Sequence, residues 1–311
     1  MRSALLAAAT VLALAVAPLA LGGYEVSVLT VILLYVLLTV GLDLVSGYCG
    51  QFSFAQGAFY GIGAYTAAIL SRDFGTEILF NLPCGIVVAG LFGLLLGIPA
   101  LRLAGHFLAI VTIAFQTIVY LALSQWTSFT GGQTGLIVRS LVDLTVFGYK
   151  IGSAQDVRSF YWLTLVVTLA GVLVAWRLTR SRLGREWIAI RDDEQLAGAI
   201  GLDATRAKLT AFVASAALAG AAGVLVAHML RSVAPEEFTI WTSAIVVTMM
   251  VLGGRGTFVG AILGAVALTL LPEVLGRLAE YKLLLYGILM VVLITLMPEG
   301  IVGRLRRPAR A

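Results

Sequence analysis

Residues 26–45 read VSVLTVILLYVLLTVGLDLV, a stretch whose single charge is Asp43. A bilayer core about 30 Å thick is crossed by about 20 apolar residues rising about 1.5 Å each. Runs of this kind recur near 4–21, 26–45, 54–70, 82–101, 106–124, 160–178, 209–230, 240–253, 257–271 and 283–297. They predict an all-α, polytopic helical bundle in a membrane, with about ten spans and eight as the alternative count. The chain is 60% hydrophobic and 12% charged, against roughly 45–50% and about 25% in a soluble domain. That excess is too large for one water-soluble core. One membrane domain over 1–311 is expected, with long connections only at 125–159 and 179–208.

With the N-terminus inside and each span reversing direction, fourteen of the 21 basic residues fall on the inner side. Cytoplasmic loops carry the excess of Lys and Arg, so both termini are expected in the cytoplasm. The net charge of +5 is then a topology signal, and no nucleic-acid partner is expected. The first 22 residues also resemble a secretory leader, with Arg2 before an apolar stretch; a retained first span is preferred.

Familiar catalytic patterns are missing. Lys150, Lys208 and Lys282 follow Tyr149, Ala207 and Tyr281, so no G-K-[ST] phosphate loop is present. His106 and His228 are far apart and form no HExxH motif. Cys49 and Cys84 are read as small core residues. They fall near opposite membrane faces, beyond the Cα separation of about 4.4–6.8 Å that a disulfide needs. No enzyme activity, metal or cofactor is expected, and an intramembrane enzyme is set aside.

The segment after the second span, GLDLVSGYCGQFSFAQGAFYGIGAY at 41–65, is rich in glycine where a clean helix would be expected. Each Gly in a helix interior costs about 0.8–1.0 kcal/mol relative to Ala. A broken or re-entrant passage is predicted from Gly47 through Gly50 to Gly57, tolerated only inside protein or along a wet cavity. Asp43, Gln51, Ser53 and Gln56 are candidates to line a translocation pathway; each also suits a structural hydrogen bond. A second glycine break, Gly253, Gly254 and Gly256, opens GGRGTFVGAILGA at 253–265 and faintly echoes the first. Paired broken helices are a transporter device. Gly57, Gly61, Gly90, Gly93, Gly97, Gly220, Gly223, Gly260 and Gly264 recur at spacings of three or four, as close helix packing requires.

Residues 184–208 mix five acids and four bases with Trp187, Ile188, Ile190, Leu196, Ile200 and Leu202. An amphipathic helix ending at a Gly201 break is expected. Its balanced charge suits a protein partner better than a lipid surface, which favours strongly basic helices.

Four ordered motifs carry a resemblance. They are GLDLVSGYCGQFSFAQGAFYGIGAYTAAIL at 41–70, SFTGGQTGL at 128–136, RDDEQLAGAIGLDATRAKLTAFVASAALAGAAG at 191–223 and VLGGRGTFVGAILGA at 251–265. Over about residues 30–300 the chain resembles LivM-type permeases of branched-chain amino acid ABC importers. The resemblance implies a permease working by alternating access in the bacterial inner membrane. It implies three kinds of partner: a second related permease, two ATP-binding subunits and an extracytoplasmic solute-binding protein. Residues 191–203 would then be the ATPase-coupling segment, with Arg191, Asp192, Asp193 and Glu194 polar and Ala197 and Gly201 at its small positions. Gly198 stands where such permeases often have alanine, and Asp43 where asparagine is common. Urea, short amides or a sugar are alternative solutes, and an ion-coupled secondary transporter is the rival mechanism.

Overall fold

A computed structural model describes residues 12–100, 106–138, 143–146, 149–153, 156–275 and Gly287. After a helical stretch at 12–20, α1, helix α2 (Gly23–Leu42) runs without interruption into a π-helical turn at Asp43–Tyr48. A non-helical passage at 49–55 leads to α3 (Gln56–Phe74). Then come α4 (Ile78–Ala100), α5 (His106–Gln125) and the short α6 (Thr127–Thr130). Helix α7 (Val157–Arg180) is followed by α8 (Arg182–Asp192), α9 (Glu194–Ala199) and α10 (Ala204–Leu230). A hairpin of α11 (Ile240–Gly253) and α12 (Phe258–Leu275) completes the described bundle.

Five described helical stretches are long and apolar enough to cross a membrane: Gly23–Tyr48, Ile78–Ile98, Phe107–Gln125, Val157–Arg180 and Ala204–Leu230. Ile240–Gly253 and Phe258–Glu273 are apolar but shorter. The predicted span at 54–70 is α3, whose Gln56, Tyr60, Tyr65 and Thr66 dilute its hydropathy. Residues 4–11 of the predicted span at 4–21, and all of that at 283–297 except Gly287, lie outside the described residues.

Burial sorts the helices into two classes. The apolar windows of α2 and α10 are 78% and 72% buried, whereas those of α4, α5 and α7 are 33% buried. Helices α2 and α10 therefore form the axis, and α4, α5 and α7 turn an apolar face outward, as Val87, Leu91, Leu95 and Ile98 do on α4. Around the axis, small residues set the spacing. A Cβ on Gly63 of α3 would run into the Gly220 carbonyl of α10, and one on Gly223 would meet the Tyr60 carbonyl. With hydrocarbon outside, such backbone approach supplies packing that a hydrophobic drive between helices cannot. Gly90 departs from the pattern, since a Cβ there meets only Val213 at an ordinary 3.8 Å.

The connection at 125–159 is not plain loop. Beyond α6 it holds β1 (Leu136–Ile137), β2 (Asp143–Val146) and β3 (Tyr149–Ser153). Strands β2 and β3 form an antiparallel hairpin, and β1 pairs antiparallel with β4 (Ser232–Val233) at the end of α10. The latter pairing ties the loop to the bundle end opposite α8 and α9. Cys49 is buried, Cys84 is half-buried, and both are free thiols.

Candidate functional site

The two glycine breaks meet. Gly256, in the turn between α11 and α12, donates its backbone N–H to Asp43 Oδ1 at 2.8 Å. The turn is tight because Gly254 and Gly256 take φ of 111° and 68°, a region that L-side chains disfavour. Across from it, a Cβ on Gly47 would collide with the Asp43 carboxylate. Asp43 is buried, and its Oδ2 has no hydrogen-bond partner among the described residues. Arg191 and Arg255 are close enough to attract it electrostatically. The Arg255 guanidinium also lies 5.5 Å from the centroid of the Phe52 ring. A cleft of about 210 Å³ beside the junction is lined by Tyr48, Trp176, Arg180, Gly256 and Phe258.

In the passage at 49–55 the Cys49 and Gln51 N–H groups still donate to the Leu44 and Val45 carbonyls at 3.1 and 2.9 Å, and polar side chains satisfy much of the rest. Ser46 Oγ donates to the Gln51 carbonyl (3.0 Å), and Ser53 Oγ accepts from Ala55 N–H (3.2 Å). Phe54 N–H donates to Thr112 Oγ1 of α5 at 3.0 Å. Gln56 donates from Nε2 to the Leu38 carbonyl (2.9 Å) and accepts from Ser215 Oγ (3.1 Å). Gly57 N–H donates to Ser243 Oγ at 2.8 Å, and Ser243 Oγ donates to Gln116 Oε1 at 3.2 Å. Gln116 Nε2 in turn reaches the Phe238 carbonyl at 2.6 Å. In a low-dielectric interior each such group would otherwise cost several kcal/mol.

Of the predicted pathway residues, Asp43, Ser53 and Gln56 are thus buried among helices, and Gln51 is half-buried with its Nε2 3.4 Å from the Cys49 carbonyl. Thr112, Gln116, Ser215 and Ser243 share this network, although no motif in the sequence marks them. Their signal was faint: isolated uncharged polar residues on otherwise apolar helices.

Helices α8 and α9 sit under the junction. The expected single helix is two, because Asp193 is extended (φ −159°, ψ 107°). Its carboxylate accepts from the N–H groups of Gln195 and Leu196 at 2.9 Å each and so starts α9. Asp203 caps α10 likewise, accepting from Arg206 N–H at 3.1 Å. Gly201 lies between them with φ of 85°. One face of the segment is anchored. Trp187 is fully buried and donates from Nε1 to the Ala207 carbonyl at 2.9 Å. Ile190 and Ala197 are buried beside it, and Lys208 pairs with Glu194 at 2.6 Å. The other face is open: Leu196 and Ile200 are 63% and 71% exposed, next to exposed Asp192.

Arg191 joins this segment to the junction. Its Nη1 donates to the Gly47 carbonyl at 3.0 Å, while Nε and Nη2 hold Asp192 Oδ1 at 3.1 Å each. The side chain passes directly over Gly50 (φ 74°), where a Cβ would stand 2.6 Å from Arg191 Cγ. Gly47, Gly50, Gly256, Asp43 and Arg191 therefore form one contact cluster. Gly253 closes on Gly260 within the α11–α12 hairpin, and Gly57 sits further into the bundle on the Ser243–Gln116 network. Among the described residues no group of His, Cys, Asp and Glu is arranged to hold a metal ion.

A family model described as the permease component of the branched-chain amino acid transport system matches residues 24–294. The chain is 38% identical to the high-affinity branched-chain amino acid transport system permease protein LivM of Salmonella typhimurium, over 91% of this chain and 71% of that protein. Identity to LivM of Escherichia coli is 37%, covering 95% of this chain and 74% of the relative. Similarity extends at 27% identity to LivH of Escherichia coli, over 87% and 91% of the two chains. No solved structure matches.

Proposed function

The chain belongs to the family of branched-chain amino acid transport system permease components, and from that premise we propose that it is the membrane subunit of an ATP-driven importer of leucine, isoleucine and valine. It is a conduit and not an enzyme; ATP is hydrolysed on two separate subunits. A related permease completes the membrane part, and a solute-binding protein delivers cargo from outside. The likeness to both LivM and LivH supports the pairing of two related permeases.

The 181–203 end of the bundle faces the cytoplasm of a bacterial cell, by the distribution of Arg and Lys. Ten spans bring both termini to that side. The observation that carries the mechanism is the Arg191 bridge. The exposed face of α9 is the docking surface for an ATP-binding subunit, and Arg191 passes its displacement to the broken helices at Gly47. Opening and closing at Asp43–Gly256 then alternates access. Gln51, Ser53 and Gln56 flank this path.

The test is uptake into proteoliposomes holding the complete transporter. Leu196→Glu with Ile200→Glu should leave the fold intact, since both side chains are exposed, yet abolish leucine uptake and release the ATP-binding subunits on purification. Normal uptake with that double variant refutes the docking role. Competition by leucine, urea and ribose identifies the solute class, and uptake driven without ATP would establish a secondary transporter instead. Replacing Asp192, Asp193 and Glu194 together is a poorer test, because Asp193 caps α9 and Glu194 pairs with Lys208.

A further inference from the structure

At the bundle end opposite α8 and α9, α2, α11 and α12 leave a groove of about 400 Å³ between them. Its α2 wall carries Tyr24, Val28 and Val31, spaced as one helical face. Ile245 and Met249, one turn apart, form the α11 wall, and Glu273 of α12 stands at the mouth. Tyr24 Oη donates to Glu273 Oε2 at 2.6 Å. From Tyr24 to Val31 the groove descends about 10 Å at 1.5 Å per residue, and Tyr35 also lines it, about 16 Å down. It therefore runs from one surface to near the midplane of a core about 30 Å thick.

We infer that this groove is the outward half of the solute path, recognising a zwitterionic amino acid with an aliphatic side chain. The inference rests on the importer reading above. The Glu273 carboxylate at the mouth attracts the α-ammonium group. Val28, Val31, Ile245 and Met249 take the branched hydrocarbon, in a volume within the roughly 300–1,000 Å³ usual for small-molecule sites. Among the described lining residues Glu273 is the one charged group, which suits the cationic end of the solute. The floor leads toward the junction: Met249 Sδ accepts from Thr39 Oγ1 at 3.6 Å, and Thr39 lies one turn above Asp43 on the same helix.

The test uses the assembled transporter with Cys84 replaced by serine, leaving buried Cys49 in place. A membrane-impermeant methanethiosulfonate added from outside should label Val31→Cys at least tenfold faster than Val87→Cys, which lies on an outward apolar face. Val31→Trp should cut leucine uptake at least tenfold, and Glu273→Gln about threefold or more. Labelling of Val31→Cys no faster than Val87→Cys in every nucleotide state overturns the proposal, as does wild-type uptake by Val31→Trp. Should Val31→Trp fail to assemble, the labelling ratio alone decides. The labelling needs no knowledge of the solute, so fast labelling in a transporter that does not import leucine refutes the solute class and keeps the path.

Discussion

Arg191 and Gly47, 144 residues apart in the chain, share a hydrogen bond of 3.0 Å that joins a surface helix to a broken membrane helix. The guanidinium is suited to this because it serves two acceptors in fixed directions, holding Asp192 with Nε and Nη2 while Nη1 reaches inward. A lysine can point one way only. Arg191→Ala should lower uptake about tenfold while ATP hydrolysis continues, and Arg191→Lys should fall between. Solute imported per ATP hydrolysed is the measurement. A fall in both activities in proportion would mean that Arg191 only stabilises the fold.

Gly50 and Gly256 are fixed by both φ and space. At φ of 74° and 68°, a side chain costs about 1–3 kcal/mol. At Gly50 it would also displace the Arg191 stem, and at Gly256 it would stand 2.9 Å from Arg191 Nη1. Gly50→Ala and Gly256→Ala should each lower the thermal midpoint of the purified protein by several degrees and weaken coupling as Arg191→Ala does. A variant with unchanged midpoint and transport would remove that glycine from the junction.

Gly198 is the contrasting case. A Cβ there meets nothing within 4 Å, and its φ is not in the left-handed region. Gly198→Ala should therefore strengthen α9 by up to about 0.8–1.0 kcal/mol through helix propensity. Slower amide exchange over 194–200 with uptake preserved is the expected result. Lost uptake with a stable helix would show that the docking surface needs a bare backbone at 198.

These contrasts mark what the sequence made legible. Long apolar runs fixed the class of fold, because crossing lipid leaves only one helical length to satisfy. Of the glycines expected to break helices, Gly50 lies in the non-helical passage and Gly254 and Gly256 in the α11–α12 turn, whereas Gly47 sits in the π-helical turn, Gly57 inside α3 and Gly253 at the end of α11. That Gly256 would bond Asp43 was not readable, since it depends on how α2 and the α11–α12 hairpin cross. The single amphipathic helix expected up to the Gly201 break is divided by one residue, Asp193, whose capping bonds outweigh helix continuation. Polarity alone marks Asp43, Gln51, Ser53 and Gln56 in the sequence, and polarity does not tell a residue lining water from one repairing broken backbone. Gln56 does the latter, with both ends of its amide engaged. The groove leaves no mark in the sequence, because its walls are mostly ordinary apolar residues brought together only by packing.

Lys208 and Glu194 form an unequal pair, with side chains 4% and 45% exposed. Removing the outer partner leaves a buried cation uncompensated, whereas removing the inner one leaves a carboxylate that water can reach. Breaking a fully buried pair costs about 3–5 kcal/mol. Exposure of Glu194 screens this one, so Glu194→Ala should cost roughly 1–2 kcal/mol. Lys208→Met should cost less. A double-mutant cycle by thermal unfolding measures the difference, and equal costs would show the pair to be solvated throughout.

Glu237 gives the bundle a pH dependence of definite sign. It lies in the 3₁₀ turn Pro235–Phe238 that leads into α11; its side chain is exposed along one edge, and partial desolvation raises its carboxyl above the ordinary carboxylate value. With a higher affinity in the folded state, the native protein binds more protons than the unfolded one between the two titrations. Stability therefore falls as pH rises through that window and stays lower above it. Glu237→Gln cannot ionise and keeps the shape. At neutral pH the variant should melt slightly higher than wild type, the effect being reduced by the group's exposure, and the gap should close as pH is lowered below the unfolded carboxylate's titration. A gap that widens on acidification would mean that the carboxylate is held by an attractive partner, and that burial does not set its charge.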